Sequence, residues 1–411
     1  MGTVISTTVI RSDGTVIYDT QRDHRFETRE GDILSFNYAY SPALLPQPSD
    51  PRRGLWRYSS LLPIDDGPTL FPLPIGDTPL VGSAQVRHAT HLPRLWLKDE
   101  TKTPTGSNKD RATALVLEHA LRHKIDVVTC ASTGNVAVSL AVGAAAAGIK
   151  AVIFVASTVS EAKLKLMLLT GATVVKVAGG YEAAFALSRQ AAQRFGWYER
   201  NTGINPLTLE AKKTLALEIW EQLGYRAPDA IVAPVGDGIT LSGIVKGFRE
   251  LQACGAIQHM PRVIGVQAEG CQPLKRAWEN QATTVARATK TSQTIADGIA
   301  VDVPIGAALA LKDIRESNGA FVAVSDHAML QAIQLLAKTT GILAEPAAVA
   351  AFAGLTPALQ AGLIKADDEI VVPVTGSGLK QQNYLLTDRT ALNIDEDEKE
   401  LERVLDAVRA L

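Results

Sequence analysis

From Leu95 onward the chain alternates short apolar runs with longer stretches whose apolar positions recur at helical spacing. Leu95 to Lys98, Asp126 to Ala131, Ala151 to Val155, Thr173 to Val177, Ala230 to Val235, Arg262 to Gln267 and Glu369 to Val374 are apolar-rich and bounded by polar or glycine-bearing segments, which predicts strands. Between them, Arg111 to about His123 carries Ala112, Leu115, Val116 and Leu121 on one face, the pattern of a half-buried helix. Further helices are predicted from Asn135 to Ala147, Ser160 to Leu169, Glu182 to Phe195, Leu209 to Leu223, Gly243 to Leu251, Ile305 to Ser317 and Asp326 to Lys338, with a mixed loop following Ala268-Glu269-Gly270 to Ile299. This rhythm implies an α/β fold of parallel sheet covered by helices on both faces, with ligands gathering at the carboxyl ends of the strands.

The amino-terminal part has a different texture. Val4 to Tyr18 alternates apolar and polar residues around Ser12-Asp13-Gly14, a β-hairpin pattern. The segments Ser41 to Pro51 and Pro63 to Pro79 are crowded with proline, which excludes helix interiors, and predict an irregular arm wrapped on the body or on a partner subunit. At the other end, Asp395 to Leu411 places Leu401, Val404, Leu405 and Val408 among charges of both signs, an amphipathic closing helix. No internal repeat or low-complexity tract interrupts the chain.

Composition narrows the partners. A chain of 411 residues has room for two to three domains with large cores. A net charge of −2 and an isoelectric point near 6.4 give no basic surplus for a phosphate backbone, so no nucleic acid is expected. The amino terminus lacks a secretory pattern and no apolar run reaches the ~18 residues of a membrane span; a soluble, cytoplasmic protein with no membrane partner is expected. Cys130, Cys254 and Cys271 have no metal-ligand spacing and read as small hydrophobes in a reducing compartment, with no metal.

Candidate chemistry centres on Lys109. A lysine at a helix entrance adds to an already positive helix end, so capping does not explain it. Schiff-base chemistry is one alternative, and a solvated turn lysine is the other. Gly236-Asp237-Gly238-Ile239-Thr240 lies between a predicted strand and a helix, where glycines and exposed amides can cradle a phosphate or simply make a tight turn. Ser132-Thr133-Gly134-Asn135 and Thr375-Gly376-Ser377-Gly378 also follow strand ends.

Taken together, Pro104 to Arg111, Ala131 to Asn135, Pro234 to Gly238, Gly265 to Gly270, Gly341 to Pro346 and Thr375 to Lys380 resemble, in order, the motifs of the fold-type II pyridoxal-phosphate enzymes, and within them the threonine synthase family. The resemblance covers roughly Pro79 to Lys380. It implies a tryptophan synthase β-like fold: two parallel or mixed sheets covered by helices, here with an amino-terminal hairpin and proline-rich arm. Residues 1–80 would form that hairpin and arm, 81–125 with 201–411 the large cofactor-binding domain, and 126–200 a small mobile domain. It also implies a homodimer acting on a small amino-acid substrate in amino-acid biosynthesis.

By the same resemblance, Lys109 would hold pyridoxal 5'-phosphate as a Schiff base and afterwards move protons on the substrate. Asn135 would bind the cofactor's phenolic oxygen, Ser132, Thr133, Gly134 and Asn135 the substrate, Gly236, Asp237, Gly238, Ile239 and Thr240 the cofactor phosphate, and Thr375 the ring nitrogen. The implied reaction converts O-phospho-L-homoserine and water to L-threonine and phosphate. Three departures bear on it. Asn108 stands where the family usually has Phe. Asp237 stands where many members have Asn, and a carboxylate beside a substrate dianion would repel it. After Asn205-Pro206 the family's phosphate-binding Arg is replaced by Thr208, with Lys212 and Lys213 one turn on as possible substitutes. The alternative is β-replacement or β-elimination on serine, threonine, O-phosphoserine or a related amino acid.

Overall fold

The computed structural model describes residues 4–19, 32–65, 67–286, 293–387, 390–393 and 401–409. At the amino end β1 (Val4–Ile10) pairs antiparallel with β2 (Val16–Asp19), as the hairpin pattern predicts. The Asp13 carboxylate accepts from the Thr15 amide at 2.8 Å in the connecting turn. A third strand, β3 (Ile33–Tyr38), covers the other edge of β1, a pairing that the sequence pattern does not mark.

The proline-rich arm comes next in the chain. It is irregular apart from two 3-10 segments, and between its two proline-rich stretches Leu55, Leu61 and Leu62 are among the most deeply buried side chains in the chain.

The rest is built in chain order from β4 (Leu80–Val81), α1 (Ala84–Thr90), β5 (Leu95–Asp99), α2 (Lys109–Arg122), β6 (Val127–Ala131), α3 (Asn135–Ala147), β7 (Lys150–Ala156), α4 (Glu161–Leu169), β8 (Thr173–Val177), α5 (Tyr181–Phe195) and β9 (Tyr198–Glu199). It continues with α6 (Leu207–Gln222), β10 (Ala230–Pro234), α7 (Ile239–Ala253), β11 (Arg262–Ala268), α8 (Pro273–Glu279), α9 (Ala307–Glu316), β12 (Ala320–Val324), α10 (Asp326–Thr340), α11 (Pro346–Ala353), α12 (Leu355–Gln360), β13 (Ile370–Val374) and α13 (Leu401–Arg409). Six strands form one sheet in the order β12-β11-β10-β13-β5-β4, parallel except for the short β4 edge. Four form a second, wholly parallel sheet, β8-β7-β6-β9, whose strands all lie within residues 126–200. Leu97, Ile231, Val232, Val371 and Val372 are fully buried, as parallel strands covered on both faces require.

Several elements depart from the expected pattern, among them α1, α12 and the short strands β4 and β9, which the reading of the sequence does not mark. Helix α8 occupies part of the stretch read as loop, opening on Pro273 at a position where proline's missing N–H costs nothing. Strand β12 runs beside β11 at the sheet edge, unmarked by the reading of the sequence. The closing helix spans Leu401–Arg409, with Leu401, Leu405 and Val408 exposed; the remainder of its expected span, 395–400 and 410–411, lies outside the described residues.

Helix α6 is packed between α2 and α7. Every residue from Leu207 to Trp220 is buried, including Glu210, Lys212, Lys213 and Glu218. A helix buried on all sides is ordinarily apolar all round; this one must pair its charges instead.

Candidate active site

Three neighbouring strands of the larger sheet, β10, β13 and β5, run their carboxyl ends into the 236–240, 375–378 and 103–109 loops. The last two are laced together. The Asn108 amide donates to the Thr375 carbonyl at 2.9 Å and the Ser377 amide to the Gly106 carbonyl at 2.8 Å. Lys380 Nζ donates to the carbonyls of Thr105 and Gly106 at 2.6 and 3.0 Å. Gly106 has φ +67°, and a Cβ there would stand 3.0 Å from Ser377 Cβ, so only glycine suits this crossing. Asp110 holds the loop from the other side, its carboxylate accepting from Thr105 N at 2.8 Å and Thr105 Oγ1 at 2.6 Å.

Lys109 is therefore not in a loop ahead of the helix: it is the first residue of α2, half-buried on a braced frame. Its Nζ donates to Asn108 Oδ1 at 3.1 Å. Burial holds the ammonium below its usual pKa, and the nearby carboxylates of Asp237 and Glu345 only partly offset this. A lysine in this state yields the neutral, nucleophilic amine more readily than a solvated one.

From the smaller sheet, β6 delivers Ser132 to Asn135 at the start of α3. The Gly134 amide donates to Ser132 Oγ at 3.0 Å, and Asn135 Nδ2 donates to Glu345 Oε1 at 2.6 Å, joining the two sheets' loops. Glu345 is 2 % exposed; burial pushes its carboxyl up, against the cations Lys380, Lys163 and Lys109. Sequence reasoning assigns it no role. A Glu followed by Pro346 at the first turn of α11 has the look of a simple helix start, and nothing local shows that it faces Asn135.

Arg200 is likewise invisible to sequence reasoning. It is fully buried after β9, donating to Thr113 Oγ1 at 3.1 Å, Thr202 Oγ1 at 3.0 Å and the Lys109 carbonyl at 3.2 Å.

The glycine loop closes the arrangement. Gly238 takes φ +87° ahead of α7, and a Cβ on Gly236 would stand 3.0 Å from Ile299 Cα. Asp237 Oδ1 accepts from the Ile239 amide at 2.9 Å. Burial raises this carboxyl, but Lys212, Lys109 and the Ile239 N–H together hold it below its ordinary pKa, so it is ionised at neutral pH.

The three positions after Asn205-Pro206 diverge. The Thr208 hydroxyl is spent on the turn that starts α6, donating to the Asn205 carbonyl at 2.7 Å and accepting from the Gly203 amide at 3.2 Å. Lys213 is not brought to the site: its Nζ lies 2.5 Å from Glu210 and 2.9 Å from Glu250, over the ring of Tyr38. Lys212 is brought there. The charges that act on it are those of Asp237, Lys109 and Arg200, and its Nζ has no hydrogen-bond partner among the described residues.

Buried polar atoms without partners in this region include Asn108 Nδ2, Asn135 Oδ1, Lys212 Nζ and Glu345 Oε2. Orphaned polar groups on facing loops, a nucleophilic lysine and a glycine loop at a helix start fit a polar, phosphorylated cofactor. Thr375, 8 % exposed at the end of β13, is on the same frame. A cavity of about 520 Å³ lined by Asp229, His259, Arg262 and Lys365 lies instead at the amino ends of β10 and β11. Among the described residues no group of three or more His, Cys, Asp or Glu could hold a metal ion, and no helix is long and apolar enough to cross a membrane.

Comparison with known proteins points the same way. The pyridoxal-phosphate dependent enzyme family matches residues 72–376. A threonine synthase of Methanocaldococcus jannaschii is 36% identical over 86% of this chain and 87% of its own length. A threonine synthase of Methanosarcina acetivorans is 35% identical over 86% of this chain and 85% of its own. Among solved structures, threonine deaminase isoform 2 of Solanum lycopersicum superposes with a TM-score of 0.62 at 20% identity, covering 80% of this chain and 87% of that one, a likeness of fold.

Proposed function

The chain belongs to the fold-type II pyridoxal-phosphate dependent enzymes, on the threonine synthase branch, and is a pyridoxal-phosphate-dependent lyase; from that premise we propose that it converts O-phospho-L-homoserine and water to L-threonine and phosphate. The observation that carries this reading is the Lys109 amine, half-buried and depressed in pKa, between the Asn135 loop and the glycine loop.

When bound, the cofactor supplies an electron sink that makes protons near the substrate's amino carbon removable. Lys109 would be the attachment point for it, and its amine the base and acid that carries protons between substrate carbons. Asn135 keeps one amide hydrogen for the cofactor's ring oxygen while the other stays on Glu345. The hydroxyls of Ser132 and Thr133 and the Thr133 amide, at the positive end of α3, receive the substrate carboxylate, the Ser132 and Gly134 amides being committed to the Phe154 carbonyl and to Ser132 Oγ. In the glycine loop the Ile239 amide is committed to Asp237, which leaves Gly236, Gly238 and Thr240 to hold the cofactor phosphate.

A second reading is favoured by Asp237 and Thr208. An ionised carboxylate in the site and a hydroxyl consumed by its own turn suit a side chain without phosphate, and hence β-replacement or β-elimination on serine, threonine or a related amino acid. Purified protein should be incubated with O-phosphohomoserine, O-phosphoserine, serine and threonine in turn, with threonine, phosphate, ammonia and 2-oxo acid assayed. Threonine and phosphate in equal amounts from the first compound supports the proposal. Ammonia and 2-oxo acid from serine or threonine, with none of the former products, replaces it with the second reading.

Two further expectations belong to this reading. Thr375→Ala should retain the cofactor, shift its absorbance and slow turnover modestly, since one hydrogen bond worth about 1 kcal/mol is lost; an unchanged spectrum and rate would remove Thr375 as the ring partner. Residues 126–200 should move as a lobe that closes over Lys109 when the carboxylate reaches Ser132 and Thr133, excluding water. The bonds from Asn135 to Glu345 and from Lys163 to Asp297, the latter 2.8 Å, tie this lobe to the larger sheet's loops. Crystals with and without an amino-acid analogue that show no relative displacement of the lobe would exclude this gating.

A further inference from the structure

Adjacent lysines on α6 have opposite surroundings. Lys213 is neutralised by Glu210 and Glu250. Lys212, about 100° further round the helix, is 1 % exposed and makes no hydrogen bond among the described residues. A buried ammonium in that condition is costly unless something polar meets it. Its Cβ packs under Gly243 of α7, where a glycine Cβ would come within 2.7 Å, so the lysine stem is pinned against the first turns of that helix.

Lys212 shares its one carboxylate. Asp237 from the glycine loop is the only acid among the charges acting on it, and Lys109 from α2 and Arg200 from the segment after β9 draw on the same group, while Glu345 also acts on Lys109 and Asp110 on Arg200. Asp237 already accepts the Ile239 amide. The amino end of α7, a helix of 15 residues, adds its own positive potential at the same place. An anion held there would give Lys212 Nζ the partner it lacks.

We propose that Lys212 is the cation of a phosphate-monoester subsite at the amino end of α7. The inference rests on the reading of this region as a pyridoxal-phosphate site and goes beyond it by assigning the phosphate's ionic partner to a lysine on α6. The same chemistry could come from two sources, the substrate's side-chain phosphate or the cofactor's own. Burial, only partly offset by Asp237, puts the ammonium at about 7 without a ligand, so a bound dianion should draw a proton onto it.

The test uses the holoenzyme reduced with borohydride, which cannot turn over, with inorganic phosphate as the probe in a calorimeter. Phosphate binding should be weaker by about 10- to 150-fold in Lys212→Gln and Lys212→Met, and largely restored in Lys212→Arg. In parallel, cofactor loss from unreduced holoenzyme is followed on dialysis. Weakened phosphate binding with unchanged cofactor retention supports the subsite and assigns it to the substrate. Accelerated cofactor loss supports it and assigns it to the cofactor. Unchanged values in both overturn it. Circular dichroism and the unfolding midpoint of each Lys212 variant are recorded alongside; native spectra with a cooperative transition well above the assay temperature separate loss of the subsite from loss of fold. Phosphate binding that depends on Lys212 in a protein that makes no threonine would sink the proposed reaction and leave the subsite standing.

Discussion

Replacing Lys109 by alanine is expected to lower turnover by at least about 10,000-fold while leaving the fold intact, because one substitution removes both the cofactor's attachment point and the proton carrier. Alanine is a good residue for the first turn of a helix, and the frame that seats Lys109 is built from other groups: Asp110 on Thr105, Asn108 on Thr375 and Lys380 on Thr105 and Gly106. Circular dichroism and the unfolding midpoint should therefore stay near those of cofactor-free wild type. The variant should also be colourless after dialysis and show no borohydride-sensitive absorbance. Undiminished turnover would end the assignment of Lys109, and a collapsed midpoint would mean that the lysine is structural.

The second large effect is on stability. Two residues along α2, Arg111 is fully buried, with its guanidinium clamped between two carboxylates. Nε and Nη2 each lie 2.7 Å from Glu100, and Nη1 and Nη2 lie 2.7 and 2.8 Å from Glu218. Lys98 Nζ completes the group at 2.7 Å from Glu218. Arg111→Ala leaves two buried carboxylates facing a single lysine, and should cost about 3–5 kcal/mol, read as a fall in the urea midpoint at neutral pH. Arg111→Met fills the volume but leaves the same charges, so it should not rescue.

The pH dependence has a definite sign. Burial alone would raise the Glu218 carboxyl, but Arg111 and Lys98 hold it well below its ordinary value of 4.5. Its contribution is therefore present above about pH 4.5 and lost as the pH falls through the lower, folded value. Arg111→Ala should lose this acid-side slope along with the stability. A midpoint equal to wild type at pH 7 would show that the cluster contributes nothing net.

Much of this protein is readable from the chain itself. Most parallel strands of both sheets, all but β9 and β12, and most of the helices between them follow from apolar runs and helical spacing, which are local signals that each segment carries alone. Lys109, Asn135, the glycine loop and Thr375 are legible because they sit in short motifs at those strand ends. The hairpin is legible from its Asp-Gly turn. Strand β12 is not, although Ser317-Asn318-Gly319 and Ser325 bound it, because its five residues alone do not show that they pair with β11. Helix α2 starts at Lys109 rather than at Arg111, a boundary hidden because Asn108 makes no side-chain cap.

What the tertiary structure decided is pairing. Arg111 and Glu218 are 107 residues apart in sequence, Asn135 and Glu345 210, and no periodicity in either segment anticipates their meeting. The two lysines of α6 look alike in the chain, yet the 100° between successive helical residues turns Lys213 onto Glu210 and Glu250 and Lys212 toward Asp237. The sequence by itself determined where strands end and which loops could hold chemistry, since those depend on neighbours a few residues away. Which charges are neutralised in the core and which remain for a ligand depended on the packing of α6 between α2 and α7, because a buried ion's fate is set by the partners that the fold brings within bonding distance.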